Sequence, residues 1–346
     1  SPDENTIYIF ELNRDQNHMQ LISYDAASGE KKDIIFEERN DKYVEPQHPL
    51  VFLPWDSGKF LFQSRRDGDN HFYTYDLGSK TTTQLTKGKF EVQEFLGFNS
   101  AAKSVVYTSN EANPIQENVY AVGETQKRTA LDDGEGVHSA VLSASGKFVF
   151  DRGASPRLAR YISVANTSTA VRTELETLEK HPWEEQFNMP QISSGTIKAA
   201  DGTTDLYYRL VKPVNFDPAK KYPAVVYVYG GPHAHNIYGN HFYGLRGWEA
   251  YMAQKGYVIF VLDNRGSENR GFEFESVTFR HLGDEEMKDQ MKGVEFLKSL
   301  PYVDGDKLGV HGWSYGGFMT TNLMCTYPDV FKVGVAGGPV IDWKYY

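Results

Sequence analysis

Apolar positions follow two different rhythms along this chain, and the change comes near residue 190. In the first part they alternate with polar residues in short runs. "DSGKFLF" (56–62), "SAAKSVVY" (100–107) and "SASGKFVF" (143–150) each combine a turn, a lysine and an apolar strand, with Lys59, Lys103 and Lys147 spaced 44 residues apart. "SPDENTIYIF" (1–10) has the same shape one unit earlier. A second strand follows in each unit: "MQLISYD" (19–25), "HFYTYDL" (71–77), "NVYAV" (118–122) and "RYISVA" (160–165). Period-two alternation with a constant repeat near 44 predicts four-stranded β-propeller blades; a β-sandwich is the competing reading but gives no cause for a fixed period. About three and a half units are visible, too few for a ring, so further blades are expected upstream.

"LETLEKHPWEEQFNMP" (175–190) interrupts the rhythm as a linker. Beyond it, "TIKAADGTTDLYYRLVKP" predicts a hairpin turning at Asp201-Gly202. Four near-continuous apolar runs follow, at 222–232, 256–266, 306–314 and 331–340, as expected of parallel strands covered on both faces. Helical patterns at 248–254, 284–300 and 317–326 alternate with them, which is the signature of a doubly wound α/β sheet. The expected domains are propeller blades over 1–180, a linker over 181–190 and an α/β domain over 191–346.

Composition narrows the function classes. A chain of 346 residues with 40% hydrophobic and 24% charged residues is folded and large enough for two domains. Its net charge of −10 argues against nucleic acid and anionic membranes as partners, because both need clustered Lys and Arg. No apolar run is long enough to span a bilayer. Cys325 is the only cysteine, so no internal disulfide forms; it is expected to be a small buried hydrophobe on a helix. No zinc spacing, EF-hand loop or Walker motif is present, and no cofactor is expected.

One stretch carries chemistry. "GVHGWSYGGF" (309–318) places Ser314 in a Gly-x-Ser-x-Gly frame between a predicted strand and a predicted helix, the setting of a nucleophile elbow. A serine there stands at a helix N-terminus, where free N–H groups favour developing negative charge. The backbone N–H of Tyr315 is the expected first oxyanion donor. Tyr229 ends the earlier strand in "YVYGGPHAH" (227–235), so its phenol is the candidate second donor; its alternative role is packing beneath the loop.

"GWSYGGFMT", "KKYPAVVYVYGGP", "LDNRGSENRGFEFE" and "RHLGDEEMKDQMKGVEFLKS" resemble the prolyl oligopeptidase family, in its dipeptidyl peptidase IV branch with the bacterial prolyl tripeptidyl aminopeptidases. The likeness is strong over 220–346 and looser through the propeller, where "SRRDGDNHFYTYD" (64–76) carries it. The resemblance implies an α/β-hydrolase domain capped by a β-propeller. It implies serine peptidase action after proline, with Ser314 as nucleophile and Tyr229 and Tyr315 on the oxyanion. "GGPVIDWKYY" then corresponds to the proline-sized substrate pocket, which carries over Val340, Trp343 and Tyr346 together with the Tyr315 ring. Without the resemblance, Trp343 and Tyr346 are core-packing residues.

Two departures limit the carry-over. The family order is Ser, Asp, His, yet no histidine follows Ser314, and Asp329 and Asp342 stand in the wrong contexts. His311 is expected to be packed on its strand, and His233 and His235 have no supported role. The triad acid and base are therefore expected beyond residue 346, and the 346-residue piece is expected to be inactive. The Glu pairs 37–38, 184–185 and 285–286 lack the context of the family's amine-binding acids and are expected at the solvated surface; Arg265 is expected to pair with a carboxylate. The leading expectation is an exopeptidase releasing Xaa-Pro or Xaa-Xaa-Pro from peptide N-termini. The alternatives are an oligopeptidase or acylaminoacyl peptidase on the same scaffold, and a non-enzymatic propeller that binds a partner. Peptides with proline near the N-terminus are the expected partners, a homodimer is a candidate assembly, and the expected setting is periplasmic, secreted or cell-surface.

Overall fold

A computed structural model describes residues 1–345. They divide into two compact units: residues 1–152, 162–176 and 270–272 form the first, and the remaining residues from 153 onward form the second. Among the described residues no helix is long and apolar enough to cross a membrane.

The repeat of the first part is realised as four antiparallel meanders. A three-stranded sheet, β1 (Thr6–Leu12), β2 (His18–Asp25) and β3 (Lys31–Arg39), comes first. Three four-stranded sheets follow: β4 (Val51–Leu53) to β7 (Thr81–Gln84), β8 (Val92–Asn99) to β11 (Arg128–Ala130), and β12 (Val137–Leu142) to β15 (Arg172–Leu178). These are propeller blades. The repeated lysine marks the second strand of each four-stranded blade or the turn into it, and the second apolar motif marks the third strand, β6 (His71–Asp76), β10 (Asn118–Gly123) or β14 (Arg160–Asn166). The high aromatic content is spent across paired strands. Phe60 lies opposite Tyr75 and Phe62 opposite Tyr73, with ring centroids 5.3 and 5.5 Å apart, the cross-strand unit that stabilises a sheet.

One buried polar cluster in these blades is matched on neighbouring strands. His138 on β12 is buried against Asp151 on β13 (Phe148–Ala154), with Nδ1 donating at 3.0 Å, while Nε2 approaches Asp133 at 3.2 Å. Burial opposes a charge on this ring, but the hydrogen bonds to Asp133 and Asp151 and the negative field of Asp132 and Asp151 prevail. The imidazolium pKa is pushed up to about 10. The cluster is thus an ion-paired knot between strands.

The second unit is built on a six-stranded sheet in the order β16-β17-β19-β18-β20-β21. β16 (Ile192–Lys198) and β17 (Asp205–Val211) form the predicted hairpin, with Gly202 at φ 76° in its turn. β18 (Tyr222–Tyr227), β19 (Val258–Leu262), β20 (Val303–Trp313) and β21 (Phe331–Gly337) are mutually parallel. The connecting helices are α1 (Gly247–Gln254), the single turn α2 (Phe272–Glu275), α3 (Glu285–Ser299) and α4 (Tyr315–Thr326). All five residues of β19 are buried, as a strand covered on both faces requires. Gly293 lets α3 lie close to the sheet: a Cβ there would come within 2.7 Å of the Phe260 ring.

Two expectations fail on the same geometric ground. In the 346-residue chain, where β21 is the edge of the sheet, the expected cover on its second face is not seen, and Val333 and Val335 are 61% and 55% exposed. Gly334, between them, faces Met324 of α4, so the alternation of the strand turns the two valines the other way. Cys325 is exposed rather than buried, because α4 packs through Met319 and Leu323 and residue 325 lies on its opposite face.

Candidate active site

The order of the strands creates the site. From β18 the chain passes to β19 on one side, whereas β20, on the other side of β18, leads through α4 to β21. The chain leaves the carboxyl ends of β18 and β20 toward opposite sides of the sheet, so these ends form a topological switch point, the place where open α/β sheets carry their ligand sites. The register sets Tyr227 beside His311, so Tyr229 and Ser314 both lie just past paired strand ends.

Ser314 occupies the turn from β20 into α4 with φ 58° and ψ −115°, a region that a non-glycine residue enters only when its surroundings enforce it. The enforcement is visible in the glycines. A Cβ on Gly312 or Gly316 would collide with the carbonyl oxygen of Val228, and one on Gly317 would come within 2.5 Å of the Gly337 carbonyl. The Ser314 N–H donates to that same Gly337 carbonyl at 2.8 Å. A Cβ on Gly316 would also lie 3.1 Å from the Cα of Tyr229, so the elbow and the Tyr229 loop are in backbone contact. Tyr315 is the first residue of α4, where the helix offers its N–H no internal acceptor.

Beyond Tyr229, the Gly-Gly-Pro turn is clamped from below. Asn264 donates through Nδ2 to the Gly230 carbonyl at 2.9 Å, and its Oδ1 accepts from Gln290 Nε2 at 2.8 Å. Further along, Asp263 accepts the backbone N–H groups of Asn236 and Ile237, both at 3.1 Å or less. Arg209 is fully buried in a two-pronged pair with Glu249 at 2.7 and 2.9 Å, and it also donates to the carbonyls of Asn236 and Tyr243. The loop after Tyr229 is thereby tied down by charges that the fold keeps dry.

The Tyr315 ring is buried between aromatic neighbours. Trp343 lies 5.1 Å away between centroids, Phe318 5.4 Å and Tyr229 6.0 Å, while Gly231 leaves room for the ring, since a Cβ there would stand 2.5 Å from it. Val340 is buried and Trp343 half-buried; Tyr346, the remaining residue assigned to this wall, lies outside the described residues. Ser314, Tyr229, Tyr315 and Trp343 are thus brought to one end of the sheet.

The histidines are otherwise engaged. His311 donates through Nδ1 to the Val335 carbonyl at 2.9 Å and packs on Tyr227 and Trp248, as expected of a packed strand residue. His235 is buried beside Asp263 and against Tyr238. Arg265 pairs with Asp289 at 2.9 Å and Glu285 at 2.7 Å.

The surface assignment of the Glu pairs needs correction. Glu37 and Glu185 are exposed, but Glu38 is half-buried, accepts from the Ser64 hydroxyl and pairs with Arg66. Glu184 pairs with His241 at 2.8 Å. Glu286 is completely buried: its carboxylate accepts the Tyr315 hydroxyl at 2.5 Å and the Gly283 N–H at 3.0 Å. Its position in the first turn of α3 masked this role. The available signal was its spacing of four, seven and eleven from Gln290, Gly293 and Leu297, which puts it on the buried stripe.

Comparisons with known proteins agree with this geometry. Residues 1–160 match the dipeptidyl peptidase IV N-terminal region, and residues 243–346 match the prolyl oligopeptidase family. A Bacteroides ovatus protein provisionally named dipeptidyl aminopeptidase IV superposes with a TM-score of 0.94 at 51% identity, over 100% of this chain and 52% of its own. Porphyromonas gingivalis dipeptidyl peptidase 4 gives 0.88 at 31% identity, over 99% and 48%. Mouse dipeptidyl peptidase 8 is 30% identical over 90% of this chain and 39% of its own length. The chain thus spans about half or less of the relatives it matches. It belongs to the prolyl oligopeptidase family, with a propeller region of the dipeptidyl peptidase IV type.

Proposed function

We propose that the whole protein is a serine exopeptidase that releases Xaa-Pro dipeptides, or Xaa-Xaa-Pro tripeptides, from peptide N-termini. The observation that carries this reading is the strained Ser314 at the head of α4, beside an unbonded helix N-terminus and an aromatic wall. Ser314 Oγ attacks the prolyl carbonyl carbon, and its proton passes to a histidine assigned to the whole protein outside this sequence. The carbonyl oxygen, now negative, is held by the Tyr315 N–H and the Tyr229 hydroxyl. Collapse breaks the C–N bond, the amine leaves with the proton, and water releases the acyl group from Ser314. The flat apolar proline ring suits the wall of Tyr315, Trp343 and Val340, and its lack of an N–H leaves no donor to satisfy there.

The test uses the full-length protein with Gly-Pro, Xaa-Xaa-Pro and N-blocked prolyl chromogenic substrates. Turnover of the first two classes is expected, and turnover of N-blocked substrates alone would sink the exopeptidase reading. Ser314→Ala is expected to lower kcat by about 10⁴-fold or more and to abolish labelling by a fluorophosphonate probe.

A further inference from the structure

A phenol and a carboxylate share a buried site directly behind the elbow. Glu286 has no exposed surface, and Tyr315 is 6% exposed. The Tyr315 hydroxyl donates to Glu286 Oε1 at 2.5 Å, a charge-assisted bond of the strong kind. The carboxylate is itself held, because the Gly283 N–H lies 3.0 and 3.1 Å from its two oxygens. Gly266, at φ 99°, brings its loop against the Glu286 side chain, with a Cβ position 3.6 Å from Cγ.

A carboxylate in such a place is costly unless it has work to do. Burial raises the Glu286 pKa, with the Tyr315 and Gly283 hydrogen bonds acting against that rise, and burial raises the Tyr315 phenol as well. Without Glu286 the buried Tyr315 hydroxyl would lose its acceptor, and without Tyr315 the carboxylate would keep only the Gly283 N–H. Together they fix the far end of a ring whose near end is the backbone of the residue after the nucleophile.

We propose that Glu286 is a positioning residue: by anchoring the Tyr315 hydroxyl it sets both the aromatic wall that receives the acyl side chain and the N–H beside Ser314. This rests on the serine-peptidase reading. The ring packs against Gly231, Phe318 and Trp343, and among the described residues Glu286 is the hydrogen-bond partner at the end of its axis.

The experiment is a double-mutant cycle in the full-length protein with Glu286→Met, Glu286→Gln, Tyr315→Phe and the Met/Phe double variant. It is read as kcat and KM on a Gly-Pro chromogenic substrate and as the rate at which a fluorophosphonate labels Ser314. Glu286→Met and Tyr315→Phe are each expected to lower kcat/KM by about 10-fold, mostly in kcat, as loss of one buried charged hydrogen bond would. Glu286→Gln keeps an acceptor and should return to within about 3-fold of wild type. In the Tyr315→Phe background, Glu286→Met should add less than about 2-fold, because its effect runs through the missing hydroxyl. Full additivity, a Gln variant as impaired as Met, or an unimpaired Met variant would each overturn the proposal. If Glu286→Met does not fold, judged by its thermal transition, Tyr315→Phe carries the test: a Phe variant with unimpaired kcat/KM and labelling rate would overturn the proposal. Wild-type protein that turns over no prolyl substrate would count against the function reading alone, since the labelling rate still reads the cycle.

Discussion

The His138 cluster of the propeller and the elbow of the hydrolase sheet satisfy their buried polar groups over different distances in sequence. In the blades, His138 meets Asp151 thirteen residues later, on the next strand, within one repeating unit. In the hydrolase unit, Tyr315 meets Glu286 across 29 residues, Asn264 meets Gly230 across 34, and Arg209 meets Glu249 across 40. The His138 cluster therefore closes within one blade, while neighbouring blades are tied at single points such as Asn99 to Thr167, 68 residues apart. The elbow depends on backbone from several separate segments arriving together, so a single added atom propagates through all of them.

Removing the blade ion pair puts the first half of that comparison at risk. His138→Gln should destabilise the protein by about 3–5 kcal/mol, because Asp151 is left as an uncompensated buried charge. The sign of its pH dependence follows from a folded pKa raised to about 10, above the ordinary value of 6.5. The folded state holds the proton more tightly, so the stabilisation is complete below pH 6.5 and is lost as pH rises through about 10. Thermal or urea unfolding should show the wild-type advantage shrinking between pH 6 and pH 10.5. An advantage that is constant across that range would mean His138 is not held as the cation.

On the hydrolase side, Tyr229→Phe removes one hydroxyl and should reduce kcat of the full-length enzyme by about 10²–10³-fold with little change in KM. An unchanged kcat would assign Tyr229 to packing. The comparison is sharpened most directly by a pair of glycine substitutions followed by unfolding. Gly316→Ala drives a methyl into the Val228 carbonyl and should cost about 3 kcal/mol. Gly29→Ala, in a blade turn at φ 74° with nothing within 4 Å, should cost only the left-handed penalty of about 1 kcal/mol. Equal costs would remove the contrast between the two regions.

Much of the architecture could be read without coordinates. The 44-residue repeat located the blades because each repeats a turn leading into an apolar strand, and the apolar runs located the parallel strands. The strand–turn–helix elbow at Ser314 and Tyr315 was legible because a Gly-x-Ser-x-Gly frame between strand and helix has few conformational solutions. The first strands of the four-stranded blades were missed: β4 has only three residues, β8 is mostly half-buried with little alternation, and the buried positions of β12 are His138 and Ala140 rather than large apolar residues.

Sequence alone thus determined most of the elements and the sharp turn at Ser314, since both follow from local periodicity and local steric demand. Tertiary structure alone decided that Glu286 is buried rather than solvated, that Asn264 and Gln290 clamp the Gly-Gly-Pro turn, and that β21 presents valines outward. Those outcomes depend on which face of a helix or strand meets another segment. Strand order decides that, and it is set by contacts between residues far apart in the chain.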